Sequence, residues 1–356
     1  MPDSRREGRR TWSLAQRWVV LAVVIGLVVY VAIAVADGFS EGLGALERAD
    51  VTWLLAALGA EAAAYLFLTA QLRRVIGPDV ELPAGTAFRL AMILCGFGCV
   101  TPASPAEGMM ITGRELRQRG LSTRRIAVTL GVAELVSGAA MAALAAVNIV
   151  AAAVLADLPP GTAVPLLGAA GLALVVVGGA GLLVGRRHVA EGIAIGVGTL
   201  CWWRPRPPVA VRRATGAAWH AEASSVLGTR ANRAALIGVS AAAWFADVCC
   251  CYCALAALGI TVPFDVVLLA YTTGVLATLV PFVPAGFGLV ETAMPLVLHS
   301  FGVPFGTAVA AVLVYRCVST LLPAAIGLVC IRRRRVASLV DVPPVAIPLV
   351  AVDRAA

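Results

Sequence analysis

The sequence predicts an all-α polytopic membrane protein, with six full spans and two re-entrant hairpins that form inverted-topology repeats. Its 356 residues are 60% hydrophobic and only 13% charged, with a mean hydropathy of +0.91. Several apolar stretches run for about 20 residues, the length that crosses a bilayer as a helix. The basic residues are all arginines and cluster between these stretches. The positive-inside rule then places every cluster and both termini in the cytoplasm.

The chain begins with a basic segment, residues 1–17, which is predicted to be cytoplasmic. Residues 18–36 form the first apolar span. We interpret this span as an uncleaved anchor, because it is long for the apolar core of a signal peptide. The acid-rich residues 37–50 are then external. The second span, residues 51–70, carries Glu61 near its middle and is followed by two arginines that mark the cytoplasmic side.

A helix break follows in the first half of the chain. The short apolar run at residues 86–100 ends in a tip rich in Pro and Gly at residues 101–108, and arginines follow it. A re-entrant hairpin over residues 86–118 returns these arginines to the cytoplasm, and two short full crossings would do the same. Glu107 closes this break, where it either contacts a substrate headgroup or is an acid favoured by a helix N-terminus.

Two further spans are predicted at residues 126–156 and 164–184, and the first of them contains Glu134. Residues 185–233 then form a basic cytoplasmic connection in which arginines and tryptophans are interleaved. This composition is typical of a segment that lies on an anionic membrane surface. No nucleic-acid-binding motif accompanies it, and we expect no nucleic-acid partner.

A sharper helix break lies in the second half, at residues 280–291. It follows a span at residues 234–257, which carries Asp247, and a short apolar run at residues 266–280. Two prolines, two glycines and Glu291 interrupt the helix, because proline removes a backbone donor and glycine weakens a helix. A break beside a charge indicates half-helices that meet at a transport site.

The last span, residues 307–331, contains Arg316, and residues 332–356 form a cytoplasmic tail. Arg316 lies too deep for its side chain to reach the interface easily. We therefore predict that it pairs with a carboxylate, with Glu291 the most plausible partner. This pair is either purely structural or also binds an anionic headgroup, because the planar guanidinium donates two parallel hydrogen bonds to phosphate.

An internal repeat relates residues 51–156 to residues 234–331, within a single membrane domain at residues 18–331. In each half, a span with a central acid precedes a hairpin with a Pro-x-x-Pro tip and a span with a charged residue. The matched positions are Glu61 and Asp247, Pro102 and Pro281, Pro105 and Pro284, and Glu134 and Arg316. An odd number of chain reversals separates the copies, so the second copy is inverted relative to the first.

The acids within the spans have two interpretations. Glu61, Asp247 and Glu134 are candidate proton-coupling residues, or they simply bond to Ser, Thr or backbone groups of neighbouring helices. The glycines of the second break allow close approach of the backbone, either to a substrate or to another helix. We expect the substrate-binding residues to be Glu107, Pro284, Gly286, Gly288, Glu291 and Arg316.

Catalytic and metal-binding patterns are not visible in the sequence. The cysteines at positions 249–251 and 253 are near neighbours on one helix and point in different directions, so they cannot converge on one ion. We interpret them as small apolar packing residues. The three histidines are scattered, and no nucleophile–His–acid order occurs. We therefore expect no metal, no cofactor and a transporter rather than an enzyme.

The second break and the last span resemble a known family. The motif Pro-Phe-Val-Pro-Ala-Gly-Phe-Gly-Leu-Val-Glu at residues 281–291, followed by Gly302 and Tyr315-Arg316, resembles the flippase-like transmembrane domain of lysylphosphatidylglycerol synthases. The first half is similar through Glu107, Gly120-Leu-Ser and Ala133-Glu134. It departs from the family at position 135, where Leu stands in place of a frequent Arg.

This resemblance implies a multi-pass protein of the bacterial plasma membrane that moves a lipid between leaflets, without the soluble synthase domain of bifunctional relatives. The implied substrate is an anionic or aminoacylated phospholipid, or a lipid-linked intermediate. Membrane lipids are then the partners, a separate lipid-modifying synthase or glycosyltransferase is a candidate partner, and an oligomer is compatible with the sequence. Two alternatives remain open: an intramembrane transferase acting on a lipid-linked group, and a non-catalytic membrane partner of a separate synthase.

Overall fold

The computed structural model describes residues 44–45, 47–77, 80–96, 104–155, 208–278 and 284–332, with scattered residues between 171 and 192. Within these ranges the regular elements are helices and no strand occurs, which confirms the all-α fold. The helices that are long and apolar enough to cross a membrane are Val51–Ile76, Thr123–Val150, Arg230–Ala257 and Phe305–Ile331.

Several predicted features lie outside the described residues. These are the basic segment at residues 1–17, the span at residues 18–36, most of the span at residues 164–184 and the tail after residue 332. The total of six spans and the cytoplasmic position of both termini therefore stay predictions.

Four helices occur in the described residues of the first half, between positions 44 and 155. Helix α1 is Val51–Ile76, and it is followed by α2, Ala84–Ala91, which continues as a π-helical turn at Met92–Gly96. Helix α3 is Ser104–Gln118, and α4 is Thr123–Leu155. Helices α2 and α3 flank the predicted first break. The tip between them, at residues 97–103, is outside the described residues.

The predicted end of the second span was too early. Helix α1 runs on to Ile76, because the apolar side chains of its last turns are buried. Leu72, Val75 and Ile76 are each at most 4% exposed and pack into one hydrophobic cluster. Asp50 caps the start of α1 by accepting a hydrogen bond of 2.8 Å from the backbone N–H of Thr52.

The second half repeats this order of elements. It comprises α5 (Val209–Leu227), α6 (Arg230–Ala257), α7 (Phe264–Thr278), a 3₁₀ turn at Pro284–Gly286, α8 (Val290–Ser300), α9 (Phe305–Arg316), a π-helical turn at Cys317–Leu321 and α10 (Leu322–Arg332). Helices α6 to α10 follow the same sequence of long, short, short and long segments as α1 to α4. Whether the two halves are related by inversion stays a prediction.

The connection predicted at residues 185–233 contains a helix that packs against the first half. Much of its length is the helix α5, which packs on α4. An ion pair of 2.6 Å between Arg125 of α4 and Glu222 of α5 joins the two helices, and Arg124 donates to the carbonyl oxygen of Ala218 at 2.5 Å. Arginine–tryptophan alternation alone does not reveal such contacts.

The two halves meet along a contact between α1 and α6, the helices predicted to be equivalent. The short helical segments of the two halves pack against different partners. Helix α7 packs on α8, whereas the π-helical turn of the first half packs on α10. That second contact is very close, because a Cβ atom added to Gly96 would clash with the backbone carbonyl oxygen of Pro323.

Candidate functional site

A cavity of about 380 Å³ lies between helices of both halves. Its walls come from α1, α4 and α6, from the ends of α2 and α7, and from the segment around Arg316. Most of its surface is apolar, and its size is in the range of ligand-binding pockets, about 300–1,000 Å³. The charged side chains that line it are Glu61, Glu134, Asp247 and Arg316.

Arg316 forms the predicted ion pair with Glu291. Its Nε donates to Oε1 of Glu291 at 2.8 Å, and the two residues are only 8% and 7% exposed. A buried ion pair is stable only where hydrogen bonds satisfy the rest of both groups. Oε2 of Glu291 accepts from the backbone N–H of Gly288 at 2.7 Å, and Nη2 of Arg316 donates to the carbonyl oxygen of Ala285 at 2.7 Å.

The turn that supplies these backbone groups has an unusual conformation. Ala285, Gly286 and Gly288 all have positive φ, at 49°, 64° and 86°. Glycine adopts this region freely, but an alanine there costs about 1–2 kcal/mol. Gly286 is also tightly packed, since an added Cβ would lie 3.1 Å from Cα of Thr278. The sequence therefore places glycines where the turn needs them and holds Ala285 in a strained position beside Arg316.

Arg316 keeps part of its guanidinium free for a ligand. A guanidinium has five N–H donors, and Nε and Nη2 already donate within the protein. Among the described residues no acceptor bonds to Nη1, and Arg316 lines the cavity. The ring of Phe287 lies 5.1 Å from Cζ and shields one side of the guanidinium.

Glu61 and Asp247 face each other across the contact between α1 and α6. Their nearest carboxylate oxygens and Sγ of Cys250 all lie within 4.8 Å of one another. Glu61 is only 7% exposed, and its Oε2 has no hydrogen-bond partner within the described part of the chain. Two carboxylates this close in a mostly apolar cavity repel each other when both are charged, so a proton or a small cation between them removes the repulsion.

Asp247 is held by two tyrosines. The hydroxyl of Tyr271, on α7, donates to Oδ2 at 2.8 Å, and the hydroxyl of Tyr315, on α9, donates to Oδ1 at 3.0 Å. The two rings pack edge to face with centroids 6.3 Å apart. Both oxygens of Asp247 therefore have a hydrogen-bond donor within the protein.

The cluster of Glu61, Asp247 and Cys250 has the composition of a metal site, which the sequence did not predict. Cys250 lies one turn beyond Asp247 on α6, so both face α1. Each oxygen of Asp247 already accepts a tyrosine hydroxyl, and Oε2 of Glu61 has no partner within the described residues. The cluster can take up a proton at Glu61, and the second lone pair of each Asp247 oxygen leaves room for a small cation as well.

Glu134 lines the cavity from α4. The adjacent carbonyl oxygen of Ala133 accepts a hydrogen bond of 2.9 Å from Nε2 of Gln71 on α1, which ties the two helices together at this level. Trp244 of α6 donates from its indole nitrogen to the carbonyl oxygen of Ser137 at 3.0 Å. The wall that carries Glu134 is thus fixed from two sides.

The structure brings some predicted site residues together and leaves others apart. Arg316, Glu291 and the turn at Gly286 and Gly288 form one connected group, and Pro284 begins the 3₁₀ turn of that group. Glu107 is at the beginning of α3 and is not among the residues that line the cavity. Its role as a headgroup ligand stays a prediction.

Two aromatic residues of the site were missed from the sequence. Tyr271 is 1% exposed in an otherwise apolar helix, and a buried tyrosine hydroxyl usually has a hydrogen-bond partner. A tyrosine within a hydrophobic run was visible in the sequence, but its pairing with Asp247 was not. Phe287, between two glycines of the break, is a packing partner whose contact with Arg316 depends on the fold of the turn.

Four helices that can cross a membrane, arranged around a charged internal cavity, define a multi-pass helical membrane protein. A family model described as the lysylphosphatidylglycerol synthase TM region matches residues 18–327. The chain belongs to this family, which confirms the resemblance seen in the sequence. No curated protein matches the chain.

Proposed function

We propose that this protein is a lipid flippase-like transporter that moves a phospholipid, or another lipid with a phosphate-linked headgroup, between leaflets. The observation that carries the proposal is Arg316, which lines the cavity and whose buried guanidinium is held by Glu291 and by the carbonyl of Ala285, while no acceptor among the described residues bonds to Nη1. Such a group is suited to binding the phosphate of a headgroup. Inverted repeats with broken helices at a central site, as in many transporters, would open the cavity to each leaflet in turn.

The charges around the cavity favour a headgroup that also carries an amine. Glu291 balances Arg316, so Glu61, Glu134 and Asp247 remain on the described wall as carboxyl groups whose oxygens can accept hydrogen bonds from an ammonium group. An aminoacylated phospholipid has both the phosphate for Arg316 and an ammonium group for the carboxylates. A purely anionic headgroup would satisfy Arg316 alone.

A cavity-filling substitution tests the proposal. Ala64 lines the cavity and is 4% exposed, so Ala64→Leu fills part of the headgroup space without changing a charge. In vesicles reconstituted with the protein, we expect the wild type to move a fluorescent aminoacylated phospholipid between leaflets. The Ala64→Leu variant should move it no faster than protein-free vesicles, as measured by quenching of the dye in the outer leaflet.

The matched control is Ala62→Leu, on an exposed side of the same helix. This variant should move the lipid at the wild-type rate, and both variants should elute as folded protein in detergent. Equal lipid movement by the wild type and by Ala64→Leu would contradict transport through this cavity. If the wild-type protein moved the lipid no faster than protein-free vesicles do, the flippase assignment itself would be contradicted.

The pair of Glu61 and Asp247 is proposed to couple transport to protons. Asp247 holds two tyrosine hydroxyls, and Oε2 of Glu61 is the oxygen left free to accept a proton. The titratable and charged groups that face this pair are Cys250 on α6, Tyr271 on α7, Tyr315 and Arg316 on α9, and Glu134 across the cavity on α4.

Replacing Glu61 with glutamine should therefore separate lipid movement from proton movement. We expect Glu61→Gln vesicles to bind the lipid but to show no proton entry during its movement, as reported by a pH-sensitive dye trapped inside. Asp265→Asn removes a charge from an exposed position at the start of α7 and serves as the control. Wild-type proton entry in the Glu61→Gln variant would show that Glu61 is not the coupling residue.

A further inference from the structure

We infer that a groove between α3 and α4 is a second lipid-binding site, selective for an anionic phospholipid and separate from the central cavity. The groove has a volume of about 370 Å³, again in the range of about 300–1,000 Å³ seen for ligand pockets. It shares no lining residue with the central cavity. The inference does not depend on lipid transport by the central cavity.

The floor of the groove is apolar. It consists of Met109 and Met110 on α3 and Ile126, Ala127 and Leu130 on α4. Met109 and Met110 are 41% and 49% exposed, so a large part of each residue is left uncovered by the rest of the protein. Methionine adapts its shape to flexible partners, which suits contact with an acyl chain.

Two glycines give the groove its depth. Gly113 faces Ile126, where an added Cβ would lie 3.4 Å from Cγ2 of that residue. Gly131 opens directly into free space, since an added Cβ would have no atom within 4 Å. The lack of side chains at both positions leaves an open channel along the two helices.

Most of the neighbouring arginines are used by the fold. Arg89 and Arg119 both pair with the buried carboxylate of Glu115 at 3.2 Å. Arg125 pairs with Glu222 at 2.6 Å. These side chains have carboxylate partners, and the pairs of Arg89 and Arg125 join different helices.

Arg114 and Arg117, which line the groove, differ from these neighbours. Within the described part of the chain, neither forms an ion pair with a carboxylate. Arg117 donates from Nη2 to the hydroxyl of Thr123, a neutral acceptor that holds its guanidinium at the groove. Two uncompensated guanidinium groups beside an apolar floor match the phosphate and the acyl chain of one anionic phospholipid.

The position of this groove favours a lipid over a free anion. It lies next to a helix that can cross the membrane, and its floor would expose apolar surface to water if only phosphate were bound. Basic pockets between transmembrane helices on the cytoplasmic side commonly bind anionic headgroups. A lipid satisfies both the charge and the apolar surface.

Lipid retention by the full chain in detergent, measured by native mass spectrometry, tests the site. The probes are phosphatidylglycerol and phosphatidylcholine with the same acyl chains. We expect tighter retention of phosphatidylglycerol by the wild type. The double variant Arg114→Gln/Arg117→Gln should lose about tenfold in affinity for each arginine, because one hydrogen bond to a charged group corresponds to about a decade in binding.

Two further variants make the outcome specific. The control Arg230→Gln/Arg233→Gln removes two exposed charges at the start of α6, on the side predicted to be cytoplasmic, and should bind phosphatidylglycerol like the wild type. Gly131→Leu should fold, because its Cβ has space, and it should weaken retention of both lipids by blocking the floor.

Several results would overturn the inference. One is equal retention of the two lipids by the wild type, and another is an equal loss in the Arg230→Gln/Arg233→Gln control. A third is full displacement of phosphatidylglycerol by inorganic phosphate together with unchanged binding in Gly131→Leu, because this would identify a free-anion site. If the double variant loses lipid retention while transport by the central cavity continues, the groove is supported as a separate lipid site. The transport proposal is then unaffected.

Discussion

Replacement of Arg316 by leucine is expected to destabilise the protein by about 3–5 kcal/mol, the usual cost of leaving one buried charge without its partner. Glu291 would remain buried, with only the Gly288 N–H to stabilise it. The carbonyl of Ala285 would lose its donor as well. Thermal unfolding in detergent micelles measures the loss, and lipid movement in reconstituted vesicles should fall to the protein-free rate.

The double variant Arg316→Leu/Glu291→Leu separates stability from function. Removing both charges takes away the uncompensated carboxylate, so much of the lost stability should return. Lipid movement should remain absent, because no guanidinium is left to bind the phosphate. Wild-type transport by the double variant would rule out Arg316 as the phosphate ligand, and wild-type stability of the single variant would rule out the pair as a buried contact.

The second large effect is expected at Gly96. A methyl group there would clash with the backbone carbonyl oxygen of Pro323, and a backbone atom cannot rotate away as a flexible side chain can. Gly96→Ala must therefore separate the π-helical turn at Met92–Gly96 from α10. We expect a loss of at least about 1–3 kcal/mol, the usual cost of overpacking, and a lower thermal unfolding temperature.

Gly138→Ala is the matched control for this prediction. Gly138 lies within α4, and an added Cβ there has no atom within 4 Å. Alanine should be neutral or stabilise the helix by up to about 1 kcal/mol, because it has the higher helix propensity. If Gly96→Ala unfolded at the same temperature as Gly138→Ala, the close contact between the hairpin and α10 would be wrong.

The charged residues at the centre of the site could be predicted from the sequence, because charges are rare inside membrane spans. A charge inside an apolar span is costly, so Glu61, Asp247 and Arg316 were identifiable one by one. Glu291 was identifiable as the partner of Arg316 because it closes the break and is the nearest carboxylate to a deep arginine. The structure confirms that contact at 2.8 Å.

Other parts of the site depend on geometry that a sequence pattern does not contain. The two tyrosines of Asp247 come from α7 and α9, and their hydroxyls meet only after both helices pack on α6. Glu107 is equivalent to Glu291 by position in the predicted repeat, yet the cavity is not lined by it.

The left-handed conformation of Ala285 means that the proposed headgroup site is preorganised. The carbonyl that orients Arg316 is already in place before any lipid arrives, because the surrounding turn holds it there against about 1–2 kcal/mol of backbone strain. A ligand that binds the free side of the guanidinium therefore loses little entropy in ordering the protein. Discrimination between headgroups then depends on how well each headgroup fits this rigid site. It depends much less on whether the headgroup can induce a conformational change in the protein.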